Sequence, residues 1–384
     1  SVHLKAATDT DLVMHRTGLV GALTLNASTE TRASVTGGAR ISTSPGAGAF
    51  VSVEAIDGAT LDTSMSAGDS LLADIVAALS DFSAMFSHMT LARNTSAFVL
   101  GHPTDPSLKT IDTTGLLTIQ AQNTGLMTAE VTSDFVGVVE NTASGDTSAY
   151  ASDAILAAGG LALSATNDTT YEALGKQAEN AVSGNTKAYV SDSTVTGGNG
   201  GVSVAALNTS TLTATSTRAS FDVGLSGLTS SASIGTAYAR NTLVGDTEAY
   251  VNADARVTVT SGDVMVTAER GATLTAEAEA TAITDTGAVP GSFAVRLGGL
   301  LSENQVLGNV HASIEDNVVK TLTSGNILVD AVDSSQIDAT SALSATTETE
   351  TLSFSPTGIT GGISVALNAI GWTLPNALLG GINL

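Results

Sequence analysis

The residues best suited by type to do chemistry are the carboxylates that recur in turns. Asp146 and Asp246 stand at equivalent points of two G-D-T turns, and Asp263 follows the glycine of another repeat. A carboxylate at a tight turn has two uses: it is a hard ligand for a divalent cation such as calcium, or an Asx-type acceptor that holds the turn together. With Asp9 and Asp11 these residues form the candidate metal set, a weak calcium site at corners of the fold. Asn185 and Asn309 occupy the matching positions of two other repeats, which favours the turn-forming role. Carboxylates converging from adjacent turns of chain would also serve polysaccharide cleavage, where an acid and a base flank the glycosidic bond.

Other chemical signals are weak. His3, His15, His88, His102 and His311 lack metal-ligand spacing, and Gly175-Lys176 lacks the Ser/Thr and upstream glycine of a phosphate loop. No HExxH, EF-hand loop or repeated calcium nonapeptide occurs. The sequence assigns no catalytic residue and no cofactor beyond a weak case for calcium, so an enzyme is not expected.

The elements that would position such residues are set by composition and period. Aromatic residues make up 4% of the 384-residue chain and charged residues 13%, so the interior must be built from small and β-branched side chains. Fourteen Lys and Arg against 37 Asp and Glu give a formal charge of -23, which repels phosphate backbones and argues against nucleic acid. No apolar run is long enough to predict a membrane span. The chain has no cysteine, which excludes disulfides and thiolate metal sites.

Asn241 to Ala280 shows the pattern most clearly. Val264, Val266 and Ala268 alternate with polar residues, and Leu274, Ala276, Ala278 and Ala280 alternate again, the period of half-buried strands. Counting from Gly262, the template is a glycine followed by apolar residues at +2 and +4, Ala at +6, an apolar residue at +12 and Ala at +14. Copies begin at Gly115, Gly159, Gly200 and Gly325, and weaker ones start from Ala49 and from just before Ser1. A second marker is an asparagine running into G-[DN]-[TV]-x-A, often with tyrosine. Asn141, Asn180, Asn241 and Asn304 carry it, and Asn26, Asn94 and Asn368 are partial versions. Two roles fit these asparagines, an inward ladder or an Asx turn at a corner.

From marker asparagine to the next glycine the spacing is 18 to 21 residues, and the longer glycine-to-asparagine intervals exceed the shortest by about 20. Taken as one coil, that quantum predicts a single all-β domain over 1–384, a parallel β-solenoid of about 20 residues per coil. Roughly 18 coils would stack into a rod of about 85 to 90 Å. Within 69–89, Leu71, Leu72, Ile75, Val76, Leu79, Phe82 and Phe86 recur every three to four residues and predict an inserted amphipathic helix. It would pack on the solenoid, cover an edge or bind a partner. The segment 354–384, with Trp372, Pro356 and Pro375, is predicted to be an apolar cap or a subunit contact.

Stretches such as SIGTAYARNTLVGDTEAYVNADARVTVTSGDVMVTAE resemble the imperfect repeats of large bacterial surface proteins of haemagglutinin-like or autotransporter-adhesin type. That resemblance implies export to the cell surface or medium, β-helical shafts, and adhesive or filament roles; it supplies no catalytic residue. The repeat phase at the two ends nearly completes a cycle, so the expectation is a module of a tandem array or a subunit that stacks head to tail on copies of itself. A cell-surface or matrix polysaccharide is the other partner considered. The alternatives are a carbohydrate-active β-helix enzyme and a threonine face that binds ice or another crystalline surface; Thr211, Thr213, Thr215, Thr258 and Thr260 point outward in the predicted alternation.

Overall fold

The structure, a computed structural model, describes residues 1–17, 21–44, 49–66, 84–102, 108–132, 136–219, 222–224, 230–285, 293–348 and 357–371. The described residues are all-β, and their strands stack in parallel into curled sheets, an arrangement compatible with a β-helix. One short antiparallel pair, Asp222–Gly224 against Ser231–Ser233, departs from this.

The glycine-led repeats lie in register. Val2, Val51, Leu117, Leu161, Val202, Val264 and Ile327 are each paired with the next along one sheet, so this wall has seven rungs. Between these partners the chain advances 49, 66, 44, 41, 62 and 63 residues. A rung is therefore not a coil of about 20 residues. At about 4.8 Å per step, seven rungs span about 29 Å, a third of the expected rod.

Each full rung visits three sheets. The chain runs out along the first sheet, as in Gly160–Gly175, and turns back along the second as Gln177–Ser183 and Thr186–Ser191. It then crosses the third as the short strand Thr194–Gly197 and climbs to the next rung at Val202. Asn180 and Gly159 thus sit on different walls of one rung, and the 20-residue spacing measures the distance between walls. The extra 20 residues of longer rungs lengthen the outward arm. Thr211–Ala219 and Ser230–Val244, then Thr273–Asp285 and Phe293–Leu307, then Gln336–Glu348 and Thr357–Ile370 are the outgoing and returning strands of three such arms.

The helix expected over 69–89 does not survive where it can be compared. Residues 84–89 open the strand Ala84–Leu100, pairing with Gly21–Leu25 below and Val136–Asn141 above. Period-2 burial wins over helical spacing there: Met85 and Met89 are buried while Phe86 is exposed. Residues 69–83 lie outside the described set. So do 354–356 and 372–384, including Trp372, Pro356 and Pro375; the described part of the expected cap, Thr357–Ile370, is the last rung of the second sheet.

Two apolar compartments fill the rungs. One joins the first sheet's opening segments to the third sheet and the later half of the second, through Val53, Val99, Ile111, Leu156, Val204 and Val257. The other lies between the outgoing and returning arms, through Leu61, Met89, Met127, Leu212 and Leu274. Small residues dominate both because facing walls approach closely, which is why a chain poor in aromatics can close its core.

Candidate functional site

Three polar columns run along the rungs, and each accounts for a residue type that the sequence marks out. The first is an inward asparagine ladder. Asn141, Asn180, Asn241 and Asn304 are 0% exposed; each Nδ2 donates to Oδ1 of the asparagine one rung up, at 2.9, 2.9, 2.9 and 3.1 Å, the last to Asn368. The same Nδ2 atoms donate to carbonyls of the facing wall, at Glu172, Thr213, Thr275 and Asp338. The ladder starts at Asn141, whose register partner below is Met89; its Oδ1 is left buried without a partner. Asn26 and Asn94 are therefore not ladder members: Asn26 pairs with Thr90, and Asn94 lies at the corner beneath Asp146.

That corner holds the second column and the candidate metal ligands. The backbone N–H of Asp146 donates to Asn94 Oδ1 at 3.1 Å, that of Asn185 to Asp146 Oδ1 at 2.7 Å, that of Asp246 to Asn185 Oδ1 at 2.9 Å, and that of Asn309 to Asp246 Oδ1 at 2.8 Å. What the position requires is a short side-chain acceptor for the next rung's N–H, which Asp and Asn supply equally well; hence the alternation. Asp263 does the same on another edge, accepting from Asn326 N at 2.8 Å. Beside Asp146, Asn185, Asp246 and Asp263, though not beside Asn94, is a glycine held at positive φ, 149° at Gly245, and a Cβ there would lie 1.9 Å from the carbonyl oxygen of Gly184. Among the described residues no group of three His, Asp or Glu side chains could hold a metal ion. The structure spreads Asp146, Asp246 and Asp263 along the ladders rather than converging them.

The third column was missed in the sequence, although its signal is there: a polar residue at +8 in all seven copies of the template. Thr8, Asp57, Asn123, Asn167, Asn208, Arg270 and Asp333 stack at the corner of the first sheet. They face a buried threonine column, Thr31, Thr95, Thr147, Thr186 and Thr247, and the polar seam separates the two apolar compartments. Asn123 Nδ2 donates to Thr147 Oγ1 at 2.6 Å, and Asp57 Oδ2 accepts from Thr29 at 2.7 Å. Arg93, buried opposite Asp57 at 3.9 Å, donates to the Thr124 carbonyl and Thr169. Arg270 pairs with Asp333 at 2.5 Å; burial opposes ionisation there, but the guanidinium and Ser335 hold the carboxyl below its ordinary range.

On the outer surface of the second sheet two further columns align. His88, Glu140, Glu179, Arg240 and Glu303 occupy successive rungs, with His88–Glu140 at 3.1 Å and Arg240 3.6 Å from both Glu179 and Glu303. Burial raises the Glu179 pKa, Arg240 opposes the shift, and Glu140 and Glu303 add to it. Burial also pushes the neighbouring Tyr238 up to about 12. A row of carboxylates is what polysaccharide chemistry needs, but Arg240 stands between Glu179 and Glu303 and shares its one charge between them, which suits an ion-paired column along the rungs better. Ten residues further along each rung, Phe98, Tyr150, Tyr189 and Tyr250 stack ring on ring at 4.8, 4.8 and 4.9 Å, with Arg32 over Phe98. The threonine columns are broken: Thr213 aligns with Glu172, and Thr215 with Leu174 and Glu277.

The two ends differ most from the rest. On the last rung Ile327 and Val329 are 49% and 42% exposed, whereas Val264 and Val266 at the same positions one rung below are 0% exposed. At the other end Val2, Leu4 and Leu12 are only partly buried. Core-type side chains and strand edges are thus presented at both ends of the described stack. No protein-family model, curated protein or solved structure matches the chain.

Proposed function

We propose that this chain is an extracellular structural protein, a parallel β-solenoid whose copies stack head to tail into a filament or adhesin shaft. The observation that carries this reading is the last described rung, where Ile327 and Val329 continue apolar columns that are buried from Val51 and Val53 through Val264 and Val266, and where no strand pairs above them among the described residues. An edge of unpaired parallel strand over exposed apolar positions is a template for another strand of like pattern. Val2, Leu4 and Ala6 of a second copy supply that pattern, since they already stand in register with Val51, Val53 and Ala55. The seven described rungs would occupy about 34 Å of such a stack. The surface location, a polysaccharide as second partner, and the absence of a catalytic reaction belong to the same proposal; the columns described hold structure and converge on no substrate-sized cleft among the described residues.

The test is electron microscopy with light scattering on wild type and Val329→Lys. Wild type is expected to form fibres or a concentration-dependent series of oligomers, and the variant to stay monomeric with the same β-sheet circular dichroism. Dispersed wild-type monomers at high concentration would refute the proposal.

A further inference from the structure

The chain has five tyrosines, and three of them share one column. Tyr150, Tyr189 and Tyr250 occupy consecutive rungs on the outer face of the second sheet, with ring centroids 4.8 and 4.9 Å apart and planes within 2° and 10° of parallel. Their faces cover one another, so they offer solvent ring edges and hydroxyls; this leaves no free face in mid-stack for a sugar to lie on. What parallel phenols in van der Waals contact do offer is a short path for covalent coupling.

We propose that this stack is an oxidative cross-linking site, at which a one-electron oxidant joins Tyr189 to Tyr150 or to Tyr250 as a dityrosine. Each phenol loses one electron to the oxidant and one proton to solvent, giving two neutral phenoxyl radicals. The radicals combine by a new carbon–carbon bond between ring positions ortho to the oxygens. Each of those carbons then transfers its hydrogen to oxygen, restoring two phenols, so the net change is loss of two electrons and two protons. A phenol ordinarily titrates near 10 and burial raises all three further, so in neutral solution phenol rather than phenolate is the species oxidised.

Register fixes the selectivity. Tyr150 has Phe98 below it, which carries no phenol to couple, and Tyr250 has Ser313 above it. Tyr150 and Tyr250 are two rungs apart, about 9.6 Å along the stack. Every productive pair therefore includes Tyr189. The other two tyrosines are internal controls: Tyr238 lies between Gln177 and Leu301, and Tyr171, between Met127 and Leu212, is buried. The product would tie two successive rungs of one chain together, a covalent staple in a protein without cysteine.

The experiment is brief illumination of dilute protein with ruthenium tris-bipyridyl and persulfate, the latter accepting two electrons as it becomes two sulfates. Readouts are dityrosine fluorescence, intact mass of the monomer and peptide mapping. Expected is a monomer lighter by two hydrogens, with the cross-link mapped to 150–189 or 189–250. Tyr189→Phe keeps the stacked ring and is expected to lower the yield to that of urea-unfolded protein, while Tyr150→Phe and Tyr250→Phe each retain one route; circular dichroism of each variant checks the fold. A cross-link mapped to Tyr238 or Tyr171, an unchanged yield in Tyr189→Phe, or oxygen addition without coupling would overturn the proposal.

Discussion

Asn241→Asp changes one amino group into one oxygen and leaves volume untouched, so it measures the ladder with no cavity contribution. In the native protein Asn241 Oδ1 accepts from Asn180 at 2.9 Å, and its Nδ2 donates to Asn304 Oδ1 at 2.9 Å and to the Thr275 carbonyl at 2.7 Å. An ionised aspartate would set its oxygen against two acceptors in a site that is 0% exposed, so the variant folds only with the carboxyl protonated. Holding a carboxyl neutral at pH 7, about three units above its ordinary value, costs about 4 kcal/mol. The neutral acid donates one hydrogen bond where two were made, and the orphaned acceptor adds about 1–3 kcal/mol. The expected penalty is about 5–7 kcal/mol at pH 7, comparable to the whole stability of many domains. The sign follows from linkage. The folded pKa is raised above the unfolded one, so the stability relative to wild type is retained below the unfolded value and lost as pH rises through the folded one. Urea titrations followed by circular dichroism should therefore give a difference from wild type that shrinks to about 1–3 kcal/mol near pH 4, whereas Asn241→Leu gives one that does not depend on pH. Equal penalties for Asn241→Asp at the two pH values would show that position 241 is wet and the ladder argument mistaken.

Val266→Asp places a charge where the wild-type side chain is fully buried, and is expected to abolish folding, seen as loss of β-sheet dichroism and of soluble protein. Asp246→Asn is expected to change the unfolding free energy from urea titration by less than about 0.5 kcal/mol, whereas Asp246→Ala costs about 1 kcal/mol by orphaning the Asn309 N–H; calcium or chelator should leave the wild-type melting temperature unchanged. Gly245→Ala combines a φ near 149° with a backbone clash, and should cost more than the roughly 1–3 kcal/mol of dihedral strain alone. Glu179→Gln is expected to raise stability at neutral pH but not in acid, because the native carboxyl has a raised pKa and favours folding least once ionised; an equal gain at both pH values would contradict the direction of that shift.

Much of the fold is legible because burial in a stacked sheet imposes period two. Val264, Val266 and Ala268 had to face inward, and the glycine-led copies align rung on rung as their template requires. The rung length was not legible, because Gly and Asn markers lie on opposite walls of one rung and nothing in a spacing tells walls from rungs. Phe82 and Phe86 illustrate a second limit, since apolar residues four apart satisfy helix and strand alike, and only the partners of Met85 and Met89 decide. Asn94 reads as a ladder residue because the corner and the ladder both use a short side-chain oxygen as acceptor, which asparagine supplies to either. Asp146 and Asp246 looked like ligands because a carboxylate's two uses, binding a cation and capping an N–H, leave the same trace. The column at +8 was hidden by its variety: Thr, Asp, Asn and Arg share polarity and position but no motif.

Between 39 and 70 residues of chain separate vertically adjacent partners. The entropy of closing a flexible loop rises only logarithmically, by about 0.6 kcal/mol per doubling, so the longest step is barely dearer to close than the shortest. Arm length can therefore drift by tens of residues while register cannot drift by one, since a single deletion between Asn241 and Asp246 would turn an entire strand inside out. With nearly every contact made across such distances, the first two rungs to meet set the pace of folding, and those that follow add to an edge already formed.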